Sequence, residues 1–164
     1  MMLLCPALTM RLYSEERKSG TWDILMVQRT PMRRIVTGKF FASWTLMLLA
    51  LLPNVVHYFI VYAIAEPIGN IDGGQFAGSF IGLIMLSVTF LSIAMLAGCW
   101  TKNQIAAFIS GALACFVLYW LILQHFYDSV SRGVIDLRDI LVFVTIAMIC
   151  HGGTIGILQL ISHK

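Results

Sequence analysis

Four long apolar stretches constrain this chain more than any other feature of its sequence. They cover residues 40–65, 76–100, 105–123 and 140–161. A helix of about 20 apolar residues crosses the hydrocarbon core of a bilayer, and such a helix pairs its backbone N–H and C=O groups internally. The sequence therefore predicts an all-α membrane protein with four complete transmembrane helices.

The composition agrees with a bilayer environment. Of the 164 residues, 59% are hydrophobic and 12% are charged, whereas a soluble domain carries roughly 25% charged residues. We interpret residues 1–164 as a single transmembrane domain. Residues 1–10 are apolar but too few to cross a membrane, so we expect them to be the tail of a fifth, incomplete helix.

The distribution of basic residues predicts the orientation. Lys102 and Lys164 fall on the same side of the membrane as residues 11–39 when the four spans are counted in series, and only Arg132 and Arg138 fall on the other side. Lysine and arginine accumulate in cytoplasmic loops. Segment 11–39 and the C-terminus are therefore predicted to be cytoplasmic, and residues 125–138 are predicted to form an extracytoplasmic loop with short helices. The basic residues of segment 11–39 are Arg11, Arg17, Lys18, Arg29, Arg33, Arg34 and Lys39.

Local signals mark where the helices begin, bend and pack. The Thr30-Pro31 pair predicts a helix start, and Thr101 is expected to cap the third span. Asp136 with Asp139 resembles a capping box at the fourth span. Pro53 lies inside the first span and is expected to kink it. Close helix packing is expected at two pairs of glycines, Gly78 with Gly82 and Gly152 with Gly156.

The spans contain no visible catalytic or phosphate-binding constellation. We expect no charged side chain at mid-depth, and there is no glycine-rich loop ending in Gly-Lys-Ser or Gly-Lys-Thr. His57 and His151 are expected to be interhelical hydrogen-bond partners. We predict no catalytic residue, metal or cofactor in this chain, so driven work would need energy from a partner. The cysteines form no CxxC pair and are expected to pack as small apolar residues: Cys5, Cys99, Cys115 and Cys150.

The most informative segment lies between the incomplete helix and the first span. A mixed-charge cluster at residues 15–18 is followed by Gly20, which can end a helix, and Thr21, which can cap the next. Trp22, Leu25 and Met26 then share one helical face. The residues alone leave three interpretations open: a lipid anchor, a docking helix for a cytoplasmic protein, and a site for anionic lipid.

The run from Pro6 to Phe40 resembles the signature of type-2 ABC exporter permeases. That signature begins with Pro-x-x-Thr-Met-Arg, continues with Glu-Glu, a basic residue and Gly-Thr, and ends with Gly-Lys and an aromatic residue. The stretches 96–107 and 131–139 also resemble this family, the latter most closely its gliding-motility-associated branch. The matching residues of the main run are Pro6, Thr9, Met10, Arg11, Glu15, Glu16, Arg17, Gly20, Thr21, Asp23, Ile24, Leu25, Pro31, Ile35, Val36, Gly38, Lys39 and Phe40.

The resemblance implies a fold and a partner. A six-helix family fold implies that this chain holds the end of the second helix and all of helices three to six. It also implies a location in the bacterial inner membrane and a cytoplasmic amphipathic coupling helix at residues 14–28. This helix would dock on a separate cytoplasmic ABC ATPase subunit, which would bind ATP and magnesium. The implied coupling residues are Glu15, Glu16, Arg17, Gly20, Thr21, Trp22, Asp23, Leu25 and Met26.

Further partners and alternatives complete the expectation. A second permease subunit and membrane lipids are expected as partners, and nucleic acid is not. Export is implied by the resemblance alone, and the substrate is not specified. The alternative is a non-transporting scaffold that recruits a cytoplasmic protein through the same helix, and an intramembrane enzyme is disfavoured because no catalytic group is visible.

Overall fold

The protein is a bundle of long helices. The computed structural model describes residues 1–21, 31–65, 73–101, 103–123 and 137–162. Four of the helices, α2 to α5, are long and apolar enough to cross a membrane, which confirms the predicted number of spans. The helices are α1 (Leu4–Ser19), α2 (Met32–Ile64), α3 (Gly73–Gly98), α4 (Gln104–Leu118, continued by a π-helical turn at Tyr119–Leu123) and α5 (Leu137–Ser162).

Helix α1 extends beyond the apolar residues that predicted it. It continues through the charged cluster to Ser19 and ends at Gly20, whose φ of 72° is left-handed, as the sequence predicted. Residues 14–19 of the predicted coupling helix therefore belong to α1. Residues 22–30 and the predicted extracytoplasmic segment 124–136 lie outside the described part of the chain.

Helix α3 is the centre of the bundle. It packs against α1, α2, α4 and α5, and 56% of its membrane-spanning window is buried inside the protein, against 22% or less for each of the other three spans. Its buried face includes Phe90, Leu91 and Ile93. Because lipid tails are as apolar as these side chains, close packing rather than exclusion of water holds the helices together.

Individual contacts fix the direction of each helix. The hydroxyl of Thr89 donates to the carbonyl oxygen of Phe143 at 3.4 Å, so α3 and α5 are in contact at these residues. Gly153 contacts Leu96 further along both helices, and the two helices therefore run parallel. Pairs of contacts likewise show that α2 and α4 run antiparallel to α3, as successive spans must. The ends of α1, α3 and α5 and the start of α2 thus share one end of the bundle, termed the basic end.

Side chains on the outer surface of the bundle are apolar. Leu49, Leu52 and Phe59 of α2 are more than half exposed, and so are Leu113 and Phe116 of α4. In water such a surface would cause aggregation, but in a bilayer it meets acyl chains. Four buried hydroxyl groups donate to carbonyl oxygens one turn back in their own helices, at Thr9, Ser87, Ser92 and Thr154.

The boundaries differ in detail from the predictions. Asn103, not Thr101, caps α4, because its side-chain oxygen accepts a hydrogen bond from the backbone N–H of Ile105 at 3.2 Å. Helix α2 begins at Met32, after an N-cap at Pro31, and continues through Pro53 to Ile64. All four cysteines are buried and free, in agreement with the predicted packing role.

The glycines predicted to pack have different surroundings on the two helices. Gly78 and Gly82 are buried in α3. On α5, a Cβ atom at Gly152 or Gly156 would meet open space, whereas one at Gly153 would lie 3.1 Å from Leu96. The predicted pair on α5 therefore makes no close contact with the described residues. Another close approach is at Gly111 of α4, where a Cβ atom would lie 3.3 Å from Pro6 of α1.

We expect Gly111→Leu to destabilise the bundle by about 1–3 kcal/mol, because the added side chain forces α1 away from α4. Gly156→Leu is the matched control, since the same side chain enters open space there. Thermal unfolding in detergent measures both variants. Equal stability of the two variants would show that α1 does not pack on α4 as described.

Candidate functional site

The residues predicted to meet a partner begin at the end of α1. Glu15 and Glu16 occupy its last turns, and Gly20 and Thr21 follow directly. Arg17 is part of the same helix. The structure thus describes the first part of the predicted coupling segment and places it at the basic end. The other predicted coupling residues lie outside the described residues: Trp22, Asp23, Leu25 and Met26.

The side chain of Lys39 connects this end of α1 to α2. Its ammonium group donates to the carbonyl oxygen of Leu12 at 2.7 Å and to a carboxylate oxygen of Glu16. The same group lies 4.6 Å from the ring centroid of Tyr13, which is within cation–π range. These four residues are termed the Lys39 junction.

The junction is partly shielded from water. The Lys39 side chain is 14% exposed and the Glu16 side chain 27% exposed. Below them lies an apolar cluster that Tyr13 shares with Val36 and Leu158. A charged hydrogen bond is stronger where water is excluded, and either charge left without its partner there is costly. The junction therefore holds α1 and α2 in a fixed relation at the basic end.

The two adjacent glutamates have different surroundings. Glu15 is 60% exposed, and its carboxylate lies 3.7 Å from Arg11 in an i,i+4 ion pair on the helix surface. Exposed pairs of this kind contribute little to stability. Glu16 turns toward α2 instead. Of the two glutamates among the residues predicted to pair with an ATPase, Glu15 is exposed and Glu16 is engaged inside the chain.

The chain turns sharply where α1 ends. The Ser19 hydroxyl donates to the carbonyl oxygen of Glu15 at 2.9 Å, and the hydroxyl oxygens of Ser19 and Thr21 lie 2.7 Å apart. The left-handed conformation of Gly20 opens the turn without steric strain. The described end of α1 is therefore a well-defined turn, close to the Lys39 junction.

The opposite end of the bundle contains fewer helices. Cys115 contacts Phe90, and α4 runs antiparallel to α3, so the last π-helical residue of α4 is about level with Gly82. The contacts of α5 with α3 place Leu137 at nearly the same level. Helix α3 starts at Gly73, about 10–15 Å further out. Among the described residues, only α2 and α3 occupy the outermost part of the bundle.

This offset brings Asp139 near the middle of the bundle. Asp139 lies at the third residue of its own span, and the prediction that no charged side chain lies at mid-depth in the membrane stays a prediction. Asp139 is 4% exposed, and its Oδ2 atom has no hydrogen-bond partner among the described residues. It lies in the first turn of α5, where the helix dipole stabilises a negative charge. The sequence signal was an acidic residue followed directly by an apolar run, which reads equally well as a helix start at the membrane surface.

The two histidines of the spans behave differently. His151 meets the expectation of an interhelical partner, since its Nε2 atom lies 3.4 Å from the Thr37 hydroxyl of α2. His57 does not, because its Nδ1 atom lies 2.7 Å from the carbonyl oxygen of Pro53 in its own helix. His57 lines a groove of about 450 Å³ between α2 and α3, together with Asn54 and Gln75.

We expect Lys39→Met to lower the free energy of unfolding by about 2 kcal/mol, because Glu16 and the Leu12 carbonyl lose a charged donor. Glu16→Gln combined with Lys39→Met should cost less than the sum of the single changes. The control is Arg34→Met, an exposed position on the same helix. Thermal unfolding in detergent gives the values, and additive costs would contradict a direct Lys39–Glu16 interaction.

Comparisons with known proteins identify no relative. No family model, curated protein or solved structure gives a significant match to this chain.

Proposed function

We propose that this chain is the membrane-spanning subunit of an ATP-driven exporter of the type-2 ABC class. The separate ATPase would dock at the basic end, on the segment that begins with Glu15. The observation that carries the proposal is the Lys39 junction. It joins α1 and α2, the two helices that flank the predicted coupling segment, at their shared end.

This arrangement suits the transmission of force. A segment held at both ends by helices that are themselves joined cannot be pushed without moving both of them. Helix α1 packs on α3 and α4, and α2 packs on α3 and α5. A displacement at the basic end would therefore reach every span, and the bundle could respond as a rigid body, which is a common mode of switching.

A second permease subunit would complete the pathway. Helix α4 carries a row of exposed apolar side chains that includes Ile109, Leu113 and Phe116. These residues line a groove together with Met2 and Leu3 from the start of α1. A symmetric pair of subunits could bury this surface, since homodimers with twofold symmetry are the commonest oligomers.

Partner identification tests the proposal. The protein is purified through a C-terminal tag from its native membranes, and the co-purifying proteins are identified. We expect an ATPase that contains a phosphate-binding loop. A non-ATPase partner bound to the same segment would overturn the transporter assignment and favour the scaffold, which uses the same exposed Glu15 surface.

We expect Glu15→Lys to reduce co-purification of the ATPase about tenfold or more, because a charge reversal against a complementary surface costs well over 1.4 kcal/mol. Its thermal stability should be close to that of the unchanged protein, since Glu15 is exposed. The matched control is Gln159→Lys, which adds a positive charge on α5 at the same end. Undiminished ATPase binding by Glu15→Lys would remove Glu15 from the docking surface.

We expect the basic end to face the cytoplasm. The native cysteines are buried, so a single introduced cysteine can report its own side of the membrane. Gly74→Cys, at the start of α3, should react with a membrane-impermeant maleimide in intact cells. Lys18→Cys should react only after permeabilisation, and the reverse pattern would invert the topology.

A further inference from the structure

A second groove lies between α2, α3 and α5, closer to the basic end than the groove lined by Asn54. Helix α3 forms its floor and helices α2 and α5 form its walls, and its volume is about 450 Å³. We term it the His151 groove. Its lining residues are Thr37, Phe40 and Phe41 of α2, Val88 and Ser92 of α3, and Val144, Ala147, Met148, His151 and Gly152 of α5.

The interior of the groove is apolar. The Ser92 hydroxyl donates to the carbonyl oxygen of Val88 at 2.9 Å and so offers no free donor. His151 and Thr37 face each other at 3.4 Å where the groove meets the basic end, and the Phe40 ring packs edge-on against His151 at 5.3 Å. Met148 is 70% exposed. An occupant would therefore contact hydrocarbon along the groove and polar groups only at its mouth.

The groove has the direction and length of an acyl chain. Its walls are helices that cross the bilayer, so it runs roughly along the membrane normal. From Val144 to Gly152 it extends eight residues along α5, or about 12 Å. One leaflet contributes about 15 Å of hydrocarbon. A single lipid tail in the leaflet next to the basic end would therefore match its length.

Two arginines stand at the mouth of the groove. Arg33 precedes Thr37 by one helical turn on the same face of α2, and Arg34 is the residue after Arg33. Both side chains are exposed, and neither forms an ion pair with a described residue. Guanidinium groups bind phosphate through paired hydrogen bonds. The mouth thus supplies two positive charges for an anionic headgroup, about one helical turn beyond the apolar groove.

We propose that the His151 groove holds one anionic phospholipid, with an acyl chain against Phe40 and Met148 and the headgroup phosphate on Arg33 and Arg34. A protein helix is a poorer fit to this groove than a lipid. A helix is about 10 Å across with its side chains, and an apolar helix would supply no anion to the two arginines. The proposal requires only that α2 and α5 cross a bilayer. It is independent of any transport activity.

Native mass spectrometry tests the proposal on the protein in mild detergent, supplied with equal amounts of phosphatidylglycerol and phosphatidylcholine. We expect one phosphatidylglycerol to be retained in preference to phosphatidylcholine. The double change Arg33→Gln with Arg34→Gln should reduce its retention about tenfold or more, because each arginine attracts the phosphate. Gly152→Leu should reduce retention of both lipids, because a Cβ atom there projects into unoccupied space of the groove.

Two control variants separate this site from general charge and packing effects. Lys18→Gln removes a positive charge at the same end, and Gly156→Leu adds the same side chain one turn further along α5; neither residue lines the groove. Both should retain phosphatidylglycerol normally. Equal retention by all variants, or no preference for phosphatidylglycerol, would overturn the proposal. So would a dimer that only Gly152→Leu dissociates, since a second copy would then occupy the groove.

Folding of each variant is checked by size-exclusion chromatography before the measurement. If Gly152→Leu fails to fold, the arginine variant decides the result alone, because both of its changes are at exposed positions. Loss of phosphatidylglycerol in that variant supports the site, and unchanged retention overturns it.

Discussion

The contact between Lys39 and Glu16 is the interaction on which the basic end depends. The other described helix contacts are mainly between apolar surfaces, with neutral hydrogen bonds at Thr89–Phe143 and Thr37–His151. In a bilayer, apolar surfaces can slide past one another at little cost because lipid competes for them equally. A shielded pair of opposite charges cannot slide, since either charge would then be left alone. The ion pair therefore fixes the register of α1 against α2, while Gly111 and Pro6 determine how closely α1 approaches α4.

The spans could be predicted from the sequence because the bilayer imposes one length and one composition on every helix that crosses it. Their order along the chain also predicts the side of the membrane on which each connecting segment lies, and the described spans alternate in direction as that order requires. The Lys39 junction could not be predicted, since Lys39 and Glu16 are separated by 23 positions and no periodic pattern in the sequence connects them. Gly20 could be placed because a left-handed helix end is a local property. Which of the two adjacent glutamates is exposed could not be predicted, because Glu15 and Glu16 are equivalent in sequence and differ in which way α1 turns them.

Depth within the bundle was also beyond the sequence. Counting spans places every loop at a membrane surface, so Asp139 was assigned to the outer boundary. The structure puts it level with the middle of α3, because α5 starts well below the outer end of that helix. The two histidines also differ in their contacts, although both lie in apolar spans. His151 contacts Thr37 of a neighbouring helix, whereas His57 contacts Pro53 of its own helix. Which side chains of two neighbouring helices meet depends on the offset between those helices along their axes. Packing determines this offset, and the periodicity of the sequence does not.

The offset between α3 and α5 has a consequence for the surrounding membrane. Each of these helices has 26 residues, but α5 begins about 10–15 Å closer to the basic end than α3 does. A flat bilayer perpendicular to the helices cannot match the hydrophobic lengths of both, and hydrophobic mismatch costs fractions of a kcal/mol per ångström. The described helices would therefore tilt in the bilayer, or the lipid thickness would change between the side of α3 and the side of α5.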